Sequence, residues 1–177
     1  MGQLTFNYSE STQKMVGQVL TGIRVETPVL TTLATYWTNA VDYQIFDVVG
    51  LIKVFAMYME VTGLFTTAAT TLAFRWDGTT PAQAIATMGV ASATLSDSKV
   101  GTRVTFLGPG QVIAGPVAEI SYLPAPFMLG GVTGAGVNCI GVVNALIGGA
   151  TLGAGSSGRY VLHYAAMSEG AYAASAI

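Results

Sequence analysis

The sequence predicts an all-β protein: an antiparallel β-sandwich or jelly roll carrying an extended N-terminal arm. Three observations point there. Runs of five to eight residues rich in valine, threonine and aromatic residues recur along the chain. Several of them alternate apolar and polar side chains with the period of two that a half-buried strand requires. Glycine-bearing turns separate the runs, and no long amphipathic helix interrupts them, which favours an antiparallel, all-β architecture.

Residues 1–40 hold few strong turn signals and are expected to form an arm that reaches a neighbouring subunit, with the sandwich domain at 41–177. Within the first stretch, TPVLTTLATYW (27–37) has the threonine and β-branched content of a strand. DVVGLIKVFAMYMEV (47–61) reads as one long apolar strand, with Lys53 and Glu60 as its interior charges and a turn at Thr62-Gly63. TTAATTLAFRWDG (66–78) sets Leu72, Phe74 and Trp76 on one face and Ala73, Arg75 and Asp77 on the other, and Asp77-Gly78 is expected to close it. TPAQAIATM (80–88) suits a short helical turn, with Pro81 at its first position.

VGTRVTFLGPG (100–110) alternates again, Val104 and Phe106 opposite Arg103 and Thr105, before Gly108-Pro109-Gly110 turns the chain. AEISYLPAP (118–126) reads as a strand ended by prolines, and GVNCIGVVNALIGG and ATLGAG as weaker strands joined by glycines. The last run, RYVLHYAAM (159–167), places Tyr160, Leu162 and Tyr164 opposite Arg159, Val161 and His163.

Composition narrows the function classes. Of 177 residues 9% are charged and 51% hydrophobic, with 22 glycines and a net charge of −2. Ordinary domains carry roughly 25% charge, so much of this exterior is expected to press against other protein or a membrane. The seven lysines and arginines are scattered singly, which leaves no basic field for a phosphate backbone and argues against nucleic acid as a partner. The opening MGQLTF has neither a basic start followed by an apolar run nor the serine or threonine of a myristoylation signal.

A membrane span is the competing reading of residues 127–155. No charge falls between Ile120 and Gly158, and about 20 apolar residues suffice to cross a bilayer. Nine glycines in those 29 residues, Asn138 and Asn144 at bilayer depth, and the missing flanking lysine or arginine all weigh against it. A membrane is therefore not expected as a partner.

Chemical motifs are sparse. Gly153-x-Gly155-x-x-Gly158 has the spacing of a dinucleotide loop, but it leads into a strand pattern, and the acid at Glu169 arrives too early for a ribose contact. It is expected to be a hairpin turn. His163 could be served by Ser168 or Ser175 as nucleophile, yet no G-x-S-x-G elbow is present. One histidine and one cysteine, Cys139, are too few for a zinc site, and Cys139 among small apolar residues reads as a buried hydrophobe. Asp42, Asp47, Asp77, Asp97 and Glu119 are dispersed and form no calcium loop. Phe74-Arg75-Trp76 reads as core packing with an outward arginine. No catalytic, cofactor-binding or metal-binding residues are expected, and no enzymatic activity.

Two stretches carry a resemblance. The segment from Ile45 to Gly78 and the terminal GRYVLHYAAMSEGAYAASAI are similar to the opening and closing segments of a family of small structural proteins of tailed bacteriophages. The matching positions are Phe46, Asp47, Val48, Gly50, Val61, Thr62, Ala69 and Thr70, then Gly158, His163, Tyr164, Ser168, Gly170 and Ala171. Ala166 stands where the family pattern has proline, and the middle of the chain diverges. The resemblance implies a virion head protein, a decoration (cement) protein bound outside the major capsid shell. Its partners would be the major capsid protein and further copies of itself as a dimer or trimer. The alternatives are a tail, neck or fibre component, or a membrane-associated protein of the viral particle.

Overall fold

The computed structural model describes residues 22–31, 36–65, 70–111, 114–117 and 125–177. These residues form twelve strands and no helix: β1 (Ile23–Glu26), β2 (Leu30–Thr31), β3 (Asp42–Val49), β4 (Leu51–Gly63), β5 (Thr71–Thr80), β6 (Ala86–Thr87), β7 (Arg103–Phe106), β8 (Ala114–Val117), β9 (Phe127–Gly130), β10 (Ile140–Gly148), β11 (Ser157–Ala166) and β12 (Tyr172–Ser175). The larger sheet runs β1-β11-β4-β7-β8, with β2 also on β11 and β9 also on β4, and the smaller runs β12-β3-β10-β5-β6. All pairings are antiparallel, and the two sheets pack face to face as a β-sandwich.

Period-two alternation builds the interior. Ile52, Val54, Met57, Met59 and Val61 of β4, with Tyr160, Leu162 and Tyr164 of β11, meet Phe46 and Val48 of β3, Leu72 and Phe74 of β5, and Val143, Ala145 and Ile147 of β10. Burying each large side chain contributes about 1.5–3 kcal/mol. Phe74 meets Phe106 edge-on at 5.8 Å and Tyr160 at 6.1 Å, and Phe106 meets Phe127 at 5.2 Å, so one aromatic chain ties both sheets together. A bulge opposite Val143/Asn144 turns both Ile45 and Phe46 inward.

Several expectations are corrected. The run 47–61 is not one strand: Gly50 breaks it, and β3 and β4 lie in different sheets. β5 runs past Asp77-Gly78 to Thr80, because β10 offers it partners as far as Ile140. Residues 80–88 form no helical turn. Their backbone groups instead bond along β5, Met88 N–H to the Phe74 carbonyl and Gln83 N–H to that of Gly78. A single isolated helical turn would have satisfied fewer of them.

ATLGAG is turn and coil, and Gly153–Gly158 feeds a strand without making a hairpin, since β10 and β11 belong to opposite sheets. In the stretch 27–37 the strand is confined to Leu30–Thr31 among the described residues. The 1–40 arm is also divided. Residues 23–26 pair with β11, and Trp37 is 1% exposed in the core, so this part belongs to the sandwich. Residues 1–21 lie outside the described residues, as do 118–124 of the strand expected at 118–126.

Candidate docking surface

The β3–β4 corner organises one end of the sandwich. Gly50 adopts φ +73°, which glycine alone takes without strain. A side chain there would come within 2.7–2.8 Å of Ser168 Oγ, Ala171 Cβ and Asn138 Oδ1. Its N–H donates to the Cys139 carbonyl (2.8 Å), and its own carbonyl accepts from Gly131 N–H (3.1 Å). Leu51 N–H donates to Ser168 Oγ (3.0 Å), that hydroxyl donates to Asn138 Oδ1 (3.0 Å), and Asn138 Nδ2 donates to the Glu169 carbonyl (2.9 Å). Met167 N–H closes the set on the Leu51 carbonyl at 2.8 Å.

Three segments far apart in sequence, 49–51, 130–140 and 166–172, are thereby locked together. Gly50 from the first stretch of the resemblance meets Ser168 and Ala171 from the second at this corner, and Phe46, Asp47 and Val48 pair with Ser175, Ala174 and Ala173 of β12. Ala69 lies outside the described residues.

The same segments present apolar side chains outward. Val132, Val137, Ile140, Met167 and Tyr172 are 41–59% exposed. Val137 is held up by a tight turn in which its N–H donates to Thr133 Oγ1 (3.1 Å) and its carbonyl accepts from Thr133 N–H (2.8 Å). The geometry thus combines a rigid polar interior with an apolar exterior, which marks contact surfaces on otherwise polar proteins. A depression beside it, lined by Trp76, Gln83, Cys139 and Ile140 among others, holds about 60 Å³. Small-molecule sites hold roughly 300–1,000 Å³.

The titratable groups singled out in the sequence are not assembled for catalysis. His163 lies on the outer face of β11, half-buried and stacked on Tyr58 at 6.2 Å. Burial first, then the charges of Arg24 and Arg103, lower its pKa against the opposing pull of Glu26. Ser168 is engaged at the Gly50 corner, and Ser175 Oγ donates to the Ile177 carbonyl at 3.1 Å. Neither hydroxyl bonds to His163. Cys139 is half-buried, not enclosed as expected, because it faces the shallow depression. Among the described residues no three His, Cys, Asp or Glu side chains gather to hold a metal ion, and no helix is long and apolar enough to cross a membrane. Residues 127–130 and 140–148 of the competing span are strands β9 and β10.

Charge is organised on the two outer faces. On the larger sheet Arg159 bonds both Glu26 (2.7 Å) and Glu60 (2.7 Å), Arg103 reaches Glu60 (3.5 Å), and Arg24 reaches Glu26 (3.1 Å). Burial would raise the Glu60 pKa, but its hydrogen bond to Arg159 and the charges of both arginines bring it below the ordinary carboxylate range. On the smaller sheet, Asp42 pairs with Arg75 at 2.6 Å, and Asp47 and Asp77 flank Val142 from either side. These aspartates appear dispersed along the sequence. Parity alone would put Asp42 and Asp47, five residues apart, on opposite faces; the bulge at Ile45–Phe46 brings them to one.

Comparison with protein-family models, with curated proteins and with solved structures finds no match for this chain.

Proposed function

We propose that the protein is a structural component of a virion, a decoration (cement) protein that binds the outside of the major capsid shell in many copies and stabilises it. The observation that carries this reading is the Gly50 end, where a polar lock holds Val132, Val137, Ile140, Met167 and Tyr172 in the open. Such exposure is costly for a free domain and useful for one that docks. The chain's 9% charged content favours the same reading, and so does the resemblance to phage head proteins. Repeated contacts of modest strength over a lattice of identical sites would supply the stabilisation.

The test is the copy number of this protein in purified particles, measured by quantitative mass spectrometry against the major shell subunit. A ratio near one, or a simple fraction of it, is the expected result. A handful of copies per particle moves the protein to the tail, neck or a vertex, and absence from particles overturns the reading. A Val137→Asp, Met167→Asp variant sharpens the test. Both side chains are exposed, so folding stability should change by less than about 0.5 kcal/mol each while shell binding is lost.

A further inference from the structure

We propose that copies of this protein associate face to back, the outer face of the larger sheet of one copy lying on the outer face of the smaller sheet of the next. The argument begins with strand parity. On the larger sheet the outward positions place Arg24, Lys53, Arg103 and Arg159 against Glu26 and Glu60, a surplus of two positive charges. On the smaller sheet they place Asp42, Asp47 and Asp77 against Arg75, a surplus of two negative charges. In a chain with so few charges, this segregation makes the two sides of one molecule electrostatic complements. Complementary potentials of this kind steer association and set its register.

Shape permits the contact. Between the charges of the larger sheet, Val161 and Ala165 are covered by their neighbours at 0% and 1% exposed, and the Tyr58–His163 stack, with Arg103 over the Tyr58 ring, stands above them. On the smaller sheet Ala73 and Val142 are both 7% exposed, a low middle that can receive this stack until the surrounding charges meet. Strands β1, β11, β4, β7 and β8 hold 35 residues and β12, β3, β10, β5 and β6 hold 33, which at about 4.8 Å by 3.3 Å per residue span roughly 500–550 Å² per copy, at the bottom of the range of specific interfaces. The contact is therefore weak between free copies and becomes effective where a scaffold holds copies side by side.

Because the two surfaces differ, the association is heterologous: it closes into a ring or continues as a row, and does not stop at a two-fold dimer. The proposal deepens the virion reading, which rests on the separate Gly50 end, so the two can fail independently.

Sedimentation velocity at low and high ionic strength tests it. The native chain should form concentration-dependent oligomers at low salt that dissociate at high salt, as screening shortens the reach of surface charge. Asp47→Lys with Asp77→Lys makes both faces positive, and Lys53→Glu with Arg24→Glu makes both negative; each variant alone should weaken association about tenfold or more. An equimolar mixture of the two should associate again. If a charge reversal fails to fold, Asp47→Asn with Asp77→Asn keeps the shape and should weaken association in the same direction.

A native chain that stays monomeric at every salt concentration overturns the proposal. So does an aspartate variant that associates like the native chain, which would mean the smaller sheet is not used, and so does a mixture that stays monomeric. A native chain that stays monomeric yet reaches the expected particle copy number refutes the face pairing alone. Absence from particles with intact self-association refutes the virion reading alone.

Discussion

The two ends of the sandwich are closed by opposite means. At the end away from Gly50, Trp37 plugs the gap between the sheets. Its indole N–H donates to the Leu30 carbonyl (3.1 Å), and its ring meets Phe65 edge-on at 5.3 Å and stacks on Tyr160 at 6.0 Å. Gly158 lets the strand pass beneath, since a Cβ there would come within 3.3 Å of the Trp37 ring. Large apolar rings fill the gap at this end, while Val29, Leu64 and Val100 beside it stay 48–66% exposed. At the Gly50 end the inside is a chain of short hydrogen bonds through Ser168 and Asn138, and the apolar groups face out. The first arrangement stabilises the domain through burial. The second holds a shape while leaving apolar surface free, which is what a docking end needs.

Breaking the Trp37 end should have the larger effect. Trp37→Ala removes a side chain that is 1% exposed and leaves Phe65 and Tyr160 facing a void. The expected loss is about 3–5 kcal/mol in chemical denaturation, a large share of a typical domain's stability. Gly50→Ala should cost about 2–4 kcal/mol, combining a positive φ with three contacts that the added methyl would crowd. Hydrogen exchange separates the two. Gly50→Ala should speed exchange first at the Leu51 and Met167 amides, and Trp37→Ala first at Leu152, whose N–H donates to the Trp37 carbonyl. Uniform acceleration in both variants would mean that the ends do not open separately.

The sequence exposed the middle of this molecule better than its ends. Leu72, Phe74 and Trp76, Val104 and Phe106, and Tyr160, Leu162 and Tyr164 all face the core as their alternation predicts, because each strand's parity is written locally. The Gly50 corner is not local. DVVGLIKV is apolar on both sides of the glycine, so nothing in it distinguishes a continuous strand from a change of sheet. Its partners Ser168 and Asn138 lie 118 and 88 residues beyond Gly50.

Trp37 was invisible for the same reason, since Phe65 and Tyr160 reach it only through the tertiary fold. Val132, Val137 and Met167 looked no different from core residues in composition. Asn138, weighed in the sequence as a cost to a membrane span, is the polar peg of the docking end.

Between the ends, the ion-pair row on the outer face of the larger sheet should have a smaller effect, and one that depends on pH. Glu60 has a folded pKa below its unfolded value of 4.5, so its contribution is present above that value and fades as pH falls through the folded pKa. Glu60→Gln should therefore cost about 1 kcal/mol at neutral pH. The gap to the native chain should close on acidification, as followed by denaturation at a series of pH values. A gap independent of pH would mean that Glu60 acts through packing and not through charge.

The smallest expected effect belongs to His163, and its sign follows from the same linkage. Burial, Arg24 and Arg103 lower its folded pKa below the unfolded 6.5, so the unfolded chain binds the proton more readily. The domain then keeps full stability above about 6.5 and loses some as pH falls from there toward the folded pKa. His163→Gln should flatten that segment of the stability profile and leave the neutral plateau nearly unchanged. Because Arg24 and Arg103 lie on the face proposed to receive a second copy, aspartates brought up by that copy should offset their effect and reduce the slope in the associated state. A slope identical in free and associated protein would place the contact away from His163, and so away from the centre of the larger sheet.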